Sequence, residues 1–70
     1  MATYRFEIDV FTIGKDGAIP VSTVSGEVEA ERYSSACVKS WSRIHEACSR
    51  IRQESGYNTA VSDVHIRREQ

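Results

Sequence analysis

"TYRFEIDVFTI", Thr3 to Ile13, is the stretch that decides the fold, because its apolar and polar side chains alternate without interruption. A period of two places successive side chains on opposite faces of a β-strand. We therefore predict a half-buried strand over about residues 3–13. Its inward side chains are Tyr4, Phe6, Ile8 and Val10, and its outward side chains are Arg5, Glu7 and Asp9.

The segment that follows predicts a β-hairpin. GKDG, at residues 14–17, has two glycines around Lys-Asp, which supply the positive φ angles of a tight reversal. The return strand, about residues 19–30, changes the parity of its apolar positions between Val21 and Val24, which predicts a β-bulge. Because Pro20 has no main-chain donor, this strand suits the edge of a sheet.

A long amphipathic helix is predicted over about residues 33–55, within SSACVKSWSRIHEACSRIRQESG. Ser34 or Ser35 is placed to help cap its start, and Gly56 is placed to end it. Apolar residues spaced by three or four positions form one stripe, with Trp41 expected as the central core side chain. The stripe comprises Cys37, Trp41, Ile44, Cys48 and Ile51.

The last segment predicts a third strand over about residues 60–67, with Val64 and Ile66 inward. The expected fold is α+β: a single two-layer β-β-α-β domain over residues 1–70, with one long helix on one face of a three-stranded antiparallel sheet. The expected strand order is 2-1-3, which puts the most regular strand in the centre. Parallel pairing of the third strand with the second, through a right-handed crossover, is the competing arrangement.

Length and composition narrow the classes of protein. Seventy residues form a thin core, so self-association into a homodimer is a reasonable expectation. Ten acidic and nine basic side chains give a net charge of -1, which argues against a strongly basic nucleic-acid binder. The sequence shows no signal-peptide pattern and no long apolar run, so we expect a cytoplasmic protein with no membrane partner.

Catalytic and metal-binding arrangements are poorly supported by the sequence. Cys37 and Cys48 are eleven residues apart on the predicted helix, or roughly 16 Å, which is too far for a disulfide or a shared zinc ion. His45 and Cys48 are three residues apart, but Cys48 is predicted to face the core and His45 the periphery. We therefore expect no enzyme activity, no catalytic residues, no metal and no cofactor.

Charged side chains are predicted to segregate between two surfaces. At 100° per residue, four basic residues follow one flank of the helix, where Glu46 can pair with Arg43 or Arg50. Acidic residues are expected on the sheet face that the helix leaves uncovered, with Phe11 as an apolar anchor at one end. The basic set is Arg32, Lys39, Arg43 and Arg50, and the acidic set is Glu7, Asp9, Glu27, Glu29 and Asp63.

The pattern favours a small non-enzymatic protein-binding module, an inhibitor or adaptor that covers a basic surface of another protein by electrostatic complementarity. By size alone it is analogous to the stand-alone inhibitors that phages make against host defence complexes. The alternative is a nucleic-acid-binding protein that uses the basic helix flank, as a monomer or as a dimer that doubles the stripe. A homodimer joined through its sheets is the third hypothesis.

Overall fold

The computed structural model describes residues 1–69, so Gln70 of the expected domain lies outside the described residues. One helix packs on an antiparallel sheet, which confirms the predicted α+β class and β-β-α-β arrangement. In chain order the elements are β1 (Ala2–Gly14), β2 (Gly17–Ala30), α1 (Tyr33–Ser55), β3 (Asn58–Val61) and β4 (His65–Arg68).

Strands β1 and β2 form the predicted hairpin. Of the two glycines in its turn, only Gly17 has a positive φ, at 100°. The pairing runs in register from Ala2↔Ala30 to Val10↔Ser22 and then shifts to Phe11↔Pro20. The shift leaves Val21 without an opposite residue, which is the bulge that the parity change predicts.

The third strand is interrupted, so the prediction of one strand over residues 60–67 is wrong in that respect. Both pieces pair antiparallel with β1 on the side away from β2, which confirms the order 2-1-3 and excludes the parallel alternative. At the break, Ser62 donates its N–H to the Asp9 carbonyl oxygen (3.0 Å), and Ser62 Oγ accepts the Asp9 N–H (3.0 Å). One main-chain bond and one side-chain bond thus hold the chain to β1 over this interval, and the ladder resumes at His65.

Helix α1 spans the range that the periodicity predicts. Its N-cap residue is Arg32 with no side-chain cap, so the expectation that Ser34 or Ser35 caps the start is wrong: both lie inside the first turn. Gly56 ends the helix in the left-handed conformation, with φ 78°, and its N–H bonds the Arg52 carbonyl oxygen. Glycine adopts this conformation without the steric cost that a Cβ imposes.

The core lies between α1 and the inward side chains of the hairpin. Tyr4, Phe6, Ile8, Val10, Val28 and Ala30 are the buried apolar residues of the sheet, and Ala36, Ser40, Ile44 and Cys48 are the buried residues of the helix. Three of these four helical residues are small, which lets the helix lie close to the aromatic side chains of β1.

The prediction that Trp41 is the central core side chain is wrong, because 42% of its surface is exposed. At 100° per residue Trp41 lies about 60° to one side of Ile44, whereas Ser40 lies about 40° to the other side. The helix therefore presents Ser40 to the sheet and leaves Trp41 at the margin of the interface. Within the predicted stripe, Cys37 and Ile51 are half-buried, and only Ile44 and Cys48 are fully buried.

The domain is elongated, with extents of 43 × 17 × 15 Å. The end of α1 lies against Thr12, Val21 and Ser22, so the tip of the hairpin extends past the end of the helix. Ile13 and Ile19 on this extension are exposed. Among residues 1–69, no helix combines the length and apolar character needed to cross a membrane.

Candidate protein-binding face

The sheet surface opposite α1 is called the outer face here, and strand alternation determines what it carries. In β1 the even-numbered side chains from Tyr4 to Thr12 are buried against the helix, so Glu7 and Asp9 project outward. In β2, Val28 and Ala30 are buried, so Glu27 and Glu29, which alternate with them, also project outward. Within residues 1–69 no second layer of chain covers this face.

Three of the predicted acidic residues come together at the break between β3 and β4. Glu7, Asp9 and Asp63 line one shallow depression, with Ser62 and His65 between them. We call these three carboxylates the acidic cluster. The two hydrogen bonds between Ser62 and Asp9 bring the 62–64 segment against β1, so Asp63 lines the same depression as Glu7 and Asp9.

Asp9 is held in place from both neighbouring strands. Thr23 Oγ1, directly opposite on β2, donates to Asp9 Oδ1 at 2.9 Å, and Ser62 bonds the Asp9 main chain from the other side. Its carboxylate therefore has a defined orientation in the free protein. Only one of its two oxygens is used in this way, and carboxylate oxygens can each accept more than one bond.

The other end of the outer face has mixed charge. Arg5 lies opposite Glu27 on one side and opposite Arg67 on the other. Glu69, which sequence reasoning missed, reaches the same place: a hydrogen bond with the Glu27 carboxyl raises the pKa of Glu69, and desolvation and the charge of Glu27 act in the same direction. Arg5 and Arg67 oppose this rise. Because alternate residues of a strand face the same way, the outward direction predicted for Arg67 could have been extended to Glu69.

Apolar side chains lie at the hairpin end of the outer face. Phe11 is half-buried between Pro20 of β2 and Ala60 of β3, which stand opposite it in the two ladders. Ile13 follows on the same face and is 45% exposed. The outer face thus runs from mixed charge, through the acidic cluster, to an apolar end at Phe11, over about 20 Å of strand.

Three of the four basic residues of the predicted stripe lie beside β2, namely Lys39, Arg43 and Arg50. All are exposed, and Lys39 Nζ donates to the Glu29 carbonyl oxygen. Arg43 lies over Gly26, because a Cβ added at Gly26 would stand 3.2 Å from Arg43 Nη1. Arg32 lies at the start of the helix, and Arg50 lines a cleft between helix and strand together with Arg43.

Glu46 lies beside the same cleft, but within the described residues it forms no ion pair with Arg43 or Arg50. The expected partial neutralisation of the stripe by such a pair is therefore not seen. We use the term basic flank for Lys39, Arg43 and Arg50, the three cations that lie beside β2.

The remaining chemistry-bearing side chains are dispersed. Cys48 is buried and His45 is exposed, and neither cysteine forms a disulfide in the described chain. Among residues 1–69 there is no group of three or more His, Cys, Asp or Glu side chains arranged to hold a metal ion.

The chain matches no protein-family model, no curated protein and no solved structure.

Proposed function

We propose that this chain is a non-enzymatic protein-binding module that covers a basic surface of a partner protein with its outer face, as an inhibitor or adaptor. The observation that carries the proposal is the acidic cluster: Glu7, Asp9 and Asp63 converge on one depression of an uncovered sheet. Like charges that line one depression repel one another, and a cationic partner side chain would relieve that repulsion.

The cluster is built in a way that favours binding over simple solvation. Thr23 Oγ1 donates to the Asp9 carboxylate and Ser62 bonds the Asp9 main chain, so this carboxylate loses less freedom than an unbonded one when a partner arrives. Ordering a side chain at an interface costs about 0.5–1.5 kcal/mol, and groups ordered in advance avoid part of that cost. A local concentration of negative charge also accelerates encounter with a basic surface at low ionic strength.

The two ends of the outer face complement this centre. Phe11, half-buried between its neighbours, offers an aromatic contact at one edge, and aromatic side chains are enriched among the residues that dominate interface energies. Arg5 and Arg67 at the other end place positive charge beside Glu27 and Glu69. The surface therefore presents a pattern of charge, and such patterns select among basic partners.

The test is affinity capture with charge variants. The immobilised chain is incubated with extract of the organism that encodes it, retained proteins are identified, and the interaction is reconstituted with the purified partner. We expect Glu7→Lys with Asp9→Lys to abolish binding, and the isosteric pair Glu7→Gln with Asp9→Asn to weaken it. Binding of the wild type should weaken as salt rises.

The matched control is Glu31→Lys with Glu54→Lys, which changes the net charge by the same amount at exposed positions outside the outer face. Circular dichroism of each variant checks that the fold is kept. Equal retention of the partner by all variants contradicts the proposal. So does the absence of any protein partner together with nucleic-acid binding that weakens steeply with salt and requires Arg32, Lys39, Arg43 and Arg50.

A further inference from the structure

The outer edge of β2 is a second surface of this domain that could bind a partner, because its main-chain N–H and C=O groups face no neighbouring strand among residues 1–69. Among residues 1–69 β2 pairs only with β1, so its other edge has no neighbouring strand. Unpaired strand edges attract further strands, and proteins protect them with prolines, bulges and lysines. Such protection is present here, but only at the two ends of β2.

At one end, Pro20 supplies no N–H and the bulge at Val21 breaks the ladder geometry. At the other end, Lys39 Nζ donates a hydrogen bond to the Glu29 carbonyl oxygen, so this oxygen is already bonded. Between these blocks lies an open window over residues 23–27.

The direction of the main-chain groups in this window follows from β1. Asp9 uses both its N–H and its C=O toward the β3 side, so its opposite residue Thr23 does not exchange bonds with it. In an antiparallel ladder both groups of one residue point to the same side, and successive residues alternate. Thr23, Ser25 and Glu27 therefore direct their N–H and C=O groups to the open edge.

The basic flank stands over this same window. Arg43 lies above Gly26, and Arg43 and Arg50 line a cleft with Val24 and Ser25. Neither guanidinium forms an ion pair within the described chain. Side chains of a strand added here would alternate between the basic flank on the helix side and Glu27 on the outer face.

We propose that the 23–27 window accepts an extended segment of a partner protein as an additional antiparallel strand, with acidic side chains at alternate positions facing Arg43 and Arg50. Main-chain hydrogen bonds supply affinity in this mode of recognition, and alternate side chains supply specificity. The site is separate from the outer face, so its existence does not depend on the function proposed above.

Charge complementarity favours this occupant over two others. A second copy of β2 would place Val24 and Gly26 on the helix side, where they bring no negative charge to the basic flank, and would set two basic flanks against each other. A nucleic acid has no peptide groups, so it cannot pair with the open main-chain N–H and C=O groups of β2 as a strand does.

The test uses the blocked heptapeptide acetyl-Lys-Glu-Thr-Glu-Val-Glu-Lys-amide and the ¹⁵N-labelled chain. We expect the amide hydrogens of Ser25 and Glu27 to exchange rapidly in the free chain and to become protected when the peptide is added. Two methylated peptides separate strand addition from charge attraction. N-methylation of the Thr and Val removes the donors that face the edge and should abolish binding, whereas N-methylation of the first two Glu residues leaves those donors and should preserve it.

On the protein side, Arg43→Gln and Arg50→Gln should each weaken peptide binding by up to about fivefold, as expected for exposed ion pairs, while Lys15→Gln in the exposed hairpin turn serves as the unaffected control. Four results would overturn the proposal. The first is that the peptide does not bind at millimolar concentration, and the second is that both methylated peptides bind equally well. The third is that protection of the Ser25 amide rises with protein concentration alone, which would indicate a second copy of the chain at this edge. The fourth is that oligothymidylate binds the basic flank more tightly than the peptide and displaces it.

Discussion

Ser40 offers a sharp test of how the helix lies on the sheet. Its side chain is fully buried, with 0% exposure, and its hydroxyl oxygen has no hydrogen-bond partner in the described chain. A buried hydroxyl without a partner costs about 1–3 kcal/mol by mutational data. Alanine removes that hydroxyl and also has the higher helix propensity, worth about 0.5 kcal/mol. Loss of one small atom from a packed site offsets part of this gain.

We therefore expect Ser40→Ala to raise the free energy of unfolding by about 1–2 kcal/mol. For a domain of this size, each 1 kcal/mol corresponds to roughly 4–8 °C in Tm. Urea unfolding followed by circular dichroism measures the change, with an unchanged m-value showing that the same surface is exposed. Ser42→Ala, at an exposed position of the same helix, is the control and should gain no more than about 0.5 kcal/mol.

Destabilisation by Ser40→Ala would refute this reasoning, because it would mean that the hydroxyl has a partner in the folded state. Equal gains for both variants would show that helix propensity alone is at work and that Ser40 does not lie in the interface.

Three further predictions follow from the packing and the titration of the outer face. Gly26→Ala should destabilise by about 1 kcal/mol in urea unfolding, because the new Cβ would stand 3.1 Å from two ring carbons of the buried Phe6; stabilisation would mean that the ring moves freely. Trp41→Ala should cost about 1 kcal/mol and Phe6→Ala about 3–5 kcal/mol, and equal losses would contradict the marginal position of Trp41. The pKa of Glu69 is raised above 4.5 in the folded state by its hydrogen bond with Glu27, so the folded chain binds more protons and stability falls as pH rises from about 4.5 through the folded pKa. Glu69→Gln should flatten that part of the urea-midpoint profile between pH 4 and 7, and parallel profiles would show that the carboxyl pair does not form.

Local patterns in the sequence were sufficient to predict the helix, the hairpin and their arrangement. Alternation in β1 predicts its inward and outward faces, and Gly56 predicts the end of the helix, since both depend on the chain within a few residues. The parity change near Val21 predicts the bulge for the same reason. The strand order was predictable because a regular strand such as β1 suits the centre of a sheet, whereas β2, which contains Pro20, suits an edge.

Tertiary contacts explain what the sequence did not predict. Trp41 lies outside the core because the small side chains at Ala36 and Ser40 let the layers approach, and hydrophobicity alone does not encode that distance. The break in the third strand depends on Ser62 meeting Asp9, residues 53 positions apart. On the outer face, the outward direction of the Glu7 side chain was predictable from strand alternation. The position of Asp63 in the same depression was not, because it depends on the break between β3 and β4.

The separation of the acidic cluster from the basic flank is the claim on which both binding proposals rest. It can be measured without any partner by comparing how a cationic and an anionic nitroxide relax the proton signals of the labelled chain. We predict stronger relaxation by the cationic probe at Glu7, Asp9 and Asp63 and by the anionic probe at Arg43 and Arg50, with both differences collapsing in about 1 M salt, where the screening length is about 3 Å. Equal relaxation by the two probes at all five residues in low salt would contradict the account.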